Sequence, residues 1–113
     1  MVQTTFRVES YKVVLGRELV SPEGFKFFAV IRCEGAEGIV SSFAFLRSDS
    51  PPAKNTYDPE EKYGMTYLPP EQYLLYLDLL RNENPVFAYL DSDEPEYNSL
   101  HTLREPVGAG DWL

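Results

Sequence analysis

The stretch FKFFAVIRCEGAEGIVSSFAFL, residues 25–46, decides the fold. Phe25, Phe27, Ala29, Ile31 and Cys33 alternate with Lys26, Phe28, Val30 and Arg32. That period of two belongs to a strand with one face turned inward. EGAEG, residues 34–38, is a short glycine-flanked loop, and the apolar run at 39–46 follows it. Two such runs joined this way predict a β-hairpin.

Working outward, residues 5–15 read as another strand. Phe6 and Val8 share one face, while Tyr11, Val13 and Leu15 share the other. The flip of phase predicts a bulge or a bend. Residues 16–24, with Ser21, Pro22 and Gly24, read as a connection. On the other side lies RSDSPPAKNTYDPEEK, residues 47–62, whose Pro, Ser, Asp and Glu content argues against a packed element. A connection of that length is a candidate for mobility or function.

YGMTYL, residues 63–68, reads as extended. Pro69 and Pro70 then predict a helix over 70–82, because proline fits a first helical turn and Glu71 suits the positive end of the helix dipole. Tyr73, Tyr76, Leu77 and Leu80 fall on one face, flanked by Leu74 and Leu79. Leu75 falls among Glu71, Asp78 and Asn82 and is expected at the surface. Asn84 and Pro85 end the helix. VFAYL (86–90) and residues 97–103 read as a second hairpin around the acidic turn DSDEPE (91–96). The tail at 104–113 closes on Trp112 and Leu113, which are expected to dock.

The expected fold is therefore α+β: an antiparallel sheet of about five strands, β-β-β-α-β-β, with one helix packed on one face. A parallel doubly wound sheet would need helices alternating with strands, and only one helix is predicted. The expected organisation is a single domain over 1–113, with the polar loop at 47–62. With 43% hydrophobic and 14% aromatic residues, 113 residues can build a core without disulfides or metal.

Charge and cysteine content narrow the function. The net charge of −8 disfavours nucleic acid and anionic membrane as partners, since both attract Lys and Arg clusters. It permits a basic protein partner. A single cysteine, Cys33, excludes an internal disulfide and a thiolate-rich zinc site. With neither a signal-like N-terminus nor a long apolar run, the chain is expected to be cytoplasmic.

No motif carries a reaction. Cys33 continues an apolar face and reads as core, and the only histidine, His101, lies on a strand. Asp91 and Asp93 open like a calcium loop. The match then fails at Pro95, at Glu96 where glycine is needed, and at Thr102 where glutamate is needed. The turn reads as a solvated acidic cluster. The glycines of GAGDW (108–112) neither follow a clear strand nor open a helix, so they imply no phosphate loop. No cofactor or metal is expected.

The tyrosines are the most informative side chains, because tyrosine gives a large apolar area with a polar tip suited to interfaces. Tyr57, Tyr63 and Tyr67 sit in and after the polar loop, and Asp91, Asp93 and Glu94 supply acids. With the exposed Leu75, these seven residues are the candidate binding set. The expected function is a small acidic, non-enzymatic domain acting through protein–protein contact or regulation, with a homodimer as one form of that contact. The alternative is a small-molecule-binding domain or minor enzyme, with a pocket beside the 47–62 loop.

Overall fold

The computed structural model describes residues 2–102. The tail expected to dock through Trp112 and Leu113 lies outside the described residues, as do the GAGDW glycines. β1 (Gln3–Arg7), β7 (Val86–Asp91) and β8 (Ser99–Thr102) form a three-stranded antiparallel sheet in the order β1-β7-β8. β2 (Ser10–Val20), β3 (Lys26–Glu34), β4 (Val40–Leu46), β5 (Thr56–Asp58) and β6 (Tyr63–Leu68) form a five-stranded sheet in the order β2-β3-β4-β6-β5. One 3-10 turn at Pro70–Gln72 leads into the single described α-helix, α1 (Tyr73–Asn82). The α+β class holds, but a single antiparallel sheet does not.

The largest correction falls at residues 5–15, which form two strands in different sheets. The phase flip marks a crossing between sheets: the Val8 N–H donates to the Val86 carbonyl of one, and the Glu9 N–H to the Glu34 carbonyl of the other. Gly35 makes the crossing possible, because a Cβ there would collide with the Phe6 ring. The expected connection at 16–24 is shorter too, since β2 runs on to Val20. Between Leu15 and Leu19 the register with β3 slips, so that Gly16, Arg17 and Glu18 stand against Phe28 alone.

The second correction concerns the loop at 47–62, which contains β5. The chain leaves β4, runs antiparallel to β6 along its far edge as β5, and returns as β6 in parallel register with β4. The sheet is therefore mixed. The β7–β8 pairing is the expected hairpin, but β8 begins at Ser99, because Pro95–Tyr97 forms a 3-10 turn.

Register assigns the faces of the five-stranded sheet. Val13, Ile31, Phe43 and Thr66 stand side by side on one face, as do Cys33, Ser41, Gly64 and Tyr57. This inner face carries the core. Tyr73 meets Phe28 and Phe45 edge-on, and Tyr76 meets Phe43 and Phe45, so α1 lies over β3 and β4 as its apolar stripe requires. The three-stranded sheet covers the remainder, with Leu90, Ile39 and Tyr57 in one buried cluster and Phe6 against it. Gly64 allows the close approach, because a Cβ there would strike Leu90. Ala29, Ile31, Cys33, Phe43 and Phe45 are fully buried.

Candidate functional site

The outer face of the five-stranded sheet holds the candidate site. Gly64, Thr66 and Leu68 of β6 point inward, so Tyr63, Met65 and Tyr67 point outward, away from α1 and the second sheet. A groove of about 610 Å³ runs along this row. Its walls are the turn around Pro22 and Glu23, Phe25 just before β3, and the loop through Pro52 and Lys54. Phe25 meets the Tyr67 ring edge-on at 5.3 Å. Burial, then the Glu23 carboxylate and Tyr63, push the Tyr67 phenol above its ordinary value. It therefore stays protonated and able to donate at neutral pH.

The loop wall is held at several points. Ser50 Oγ accepts the Lys26 N–H at 2.9 Å, and Arg47 reaches both the Arg17 carbonyl and Asp49. Asn55 accepts the Tyr67 N–H at 2.8 Å and donates to the Pro95 carbonyl at 3.1 Å. Asn98 donates to the Thr56 carbonyl and accepts the Asp91 N–H. The polar loop at 47–62 is thus tied to β6 on one side and to the acidic turn on the other.

That turn is built around Asp91, which is buried rather than solvated as expected. One carboxylate oxygen accepts the N–H groups of Asp93 and Glu94, each at 3.0 Å, and the other accepts from Tyr89 and Gln3. The Glu94 N–H, with help from Asp93, Gln3 and Tyr89, holds the Asp91 carboxyl below the ordinary carboxylate range, against the desolvation that raises it. Asp91 therefore acts structurally, while Asp93 and Glu94 remain exposed beside it.

The seven candidates separate accordingly. Tyr63 and Tyr67 line the groove together. Tyr57 faces inward, 8% exposed, with its hydroxyl 2.7 Å from Thr4 Oγ1, so it belongs to the seam between the sheets. Leu75 is 64% exposed on the outer side of α1, remote from the groove row. Sequence reasoning missed Phe25, Met65 and Glu23. Met65 was open to discovery, since it alternates with Tyr63 and Tyr67. Phe25 was not, because its place depends on the irregular start of β3.

The remaining reactive groups lie elsewhere. Cys33 is buried on the inner face, and burial pushes its thiol up to about 12. His101 stacks on Phe87 in the other sheet. No cluster of His, Cys, Asp and Glu among the described residues could hold a metal ion. No helix among them is long and apolar enough to cross a membrane. No protein-family model, no curated protein and no solved structure matches the chain.

Proposed function

We propose that this chain is a non-enzymatic binding domain whose working surface is the outer-face groove, and that it takes an extended, basic segment of a protein partner. One observation carries this reading: Phe25, Tyr63 and Tyr67, with Met65 between the two tyrosines, line one groove on the sheet face turned away from both covering layers. Tyrosine faces attract Lys and Arg side chains, and a rigid aromatic surface is ordered at low entropic cost. Glu23 and Lys54 balance each other in the groove wall, and the net charge of −8 over the whole chain favours a basic partner. With one thiol, deeply buried, the domain suits a reducing cytoplasm.

The decisive experiment is capture from native-host lysate at low and moderate salt, run in parallel with Tyr63→Ala/Tyr67→Ala and with Leu75→Lys. A stoichiometric partner should persist on the wild type and on Leu75→Lys. It should weaken by about tenfold or more on the double variant, the loss expected at an aromatic hot spot. A partner that ignores the double variant rejects the groove.

A small-molecule site is the second reading. It is favoured by the loop wall, which already packs against the domain through Ser50 and Asn55. A saturable thermal shift with one member of a metabolite panel, abolished by Met65→Arg, would establish it in place of the first.

A further inference from the structure

The outer edge of β2 is the other unfinished part of the molecule. β2 ends the five-stranded sheet, and among the described residues only β3 pairs with it. Its inner-face row is Tyr11, Val13 and Leu15, standing beside Cys33, Ile31 and Ala29, which are all fully buried. The core thus reaches the edge strand and stops: Tyr11 is 37% and Leu15 64% exposed. An apolar row along an open edge is a template for another strand.

We infer that this edge pairs with the same edge of a second copy, antiparallel, across a two-fold axis through Val13. The geometry restricts the choice. A two-fold axis normal to the sheet keeps each inner face inward only if opposed residues share a face, so the axis must pass through a residue. The slip after Leu15 limits the regular edge to Ser10–Leu15. An axis at Lys12 would set Lys12 against Lys12. An axis at Val14 would draw the irregular residues 16–18 into the ladder. At Val13, Tyr11 meets the Leu15 of the other copy, Val13 meets Val13, and the inner row becomes continuously apolar. The edge also avoids the charge that would keep acidic copies apart: β2 carries Lys12 and Arg17 against Glu18.

The result is a ten-stranded sheet with both outer-face grooves open on the same side. This inference does not depend on what the groove binds.

The contact is short, so a dissociation constant in the micromolar range is expected. Analytical ultracentrifugation of the full chain up to about 500 µM, well above that range, should show conversion to twice the 12.9 kDa chain mass. Leu15→Lys should weaken the dimer at least about tenfold. Val13→Cys should crosslink to itself under oxidation or with a short bis-maleimide. A dimer that survives Leu15→Lys and leaves Val13→Cys uncrosslinked uses another surface and overturns the proposal. A chain that stays monomeric overturns it too. In that case Leu15→Cys tells what holds the edge: slow thiol labelling assigns it to the chain's own residues 103–113, and fast labelling leaves it for a different protein.

Discussion

Asp58 and Asp91 occupy the same local device in two parts of the molecule. Each opens an acidic turn, and each carboxylate accepts the N–H groups two and three residues ahead: Glu60 and Glu61 for Asp58, Asp93 and Glu94 for Asp91. At Asp58 the device ends there, on an exposed hairpin turn between β5 and β6. Asp91 is buried and receives two further donors, Tyr89 and Gln3, while its own N–H is taken by Asn98. One carboxylate closes a turn. The other closes a turn and ties β1 to β7, while the backbone N–H of the same residue bonds Asn98, which holds the groove wall at Thr56. Local chemistry sets the turn, and what packs over it sets its weight.

Substitution should separate the two. Asp91→Ala is expected to give the largest loss of thermal stability in this set, because it strands four donors at a buried position. The variant keeps the backbone N–H that bonds Asn98, so the tie to the groove wall at Thr56 should persist, read as unchanged amide exchange at residues 54–57. Equal losses for Asp91→Ala and Asp58→Ala would erase the contrast. Asn98→Ala comes next, at about 1–3 kcal/mol by chemical denaturation, since it leaves the Asp91 N–H without its acceptor.

Acid sharpens the comparison. The folded protein holds the Asp91 carboxyl below its unfolded value. Its contribution is therefore full above the ordinary aspartate value of about 3.9 and disappears as pH falls through the folded one. The stability gap between wild type and Asp91→Asn should narrow between neutral pH and strong acid. A gap independent of pH would mean that the carboxylate charge contributes nothing. Asp58→Ala should have the smallest effect, within about 0.5 kcal/mol, as for most exposed positions.

The same contrast explains what could be read from the chain. The β3–β4 hairpin, β6, α1 and the β7–β8 hairpin follow from periodicity and turn residues, because each is a local pattern with a local cause. Asp58 and Asp91 look alike in sequence, so the burial of one was invisible there. β5 is only three residues in a polar stretch, and its signal is the single Tyr57, which pairs with Gly64 at a position where the second sheet presses close. The phase flip at Val8–Glu9 was visible, but a bend within a sheet and a crossing between sheets leave the same trace. Tyr63 and Tyr67 were named together with Tyr57, which the fold turns inward while the other two line one groove. The walls that make them a groove come from residues 21–25 and 47–55, which only the fold brings together.

The crossing at Val8 also sets an order on synthesis. β1 is made before every strand of the five-stranded sheet, yet its partner strand is β7, and Gln3 meets Asp91 across 88 residues. The five-stranded sheet and α1 can all be out before that partner exists. Until then Phe6 has nothing to cover, and the cluster at Tyr57 and Gly64 lies bare. Between the completion of β6 at Leu68 and the appearance of β7 at Val86, the five-stranded sheet can stand assembled with its seam unclosed, and β7 and β8 then recruit β1.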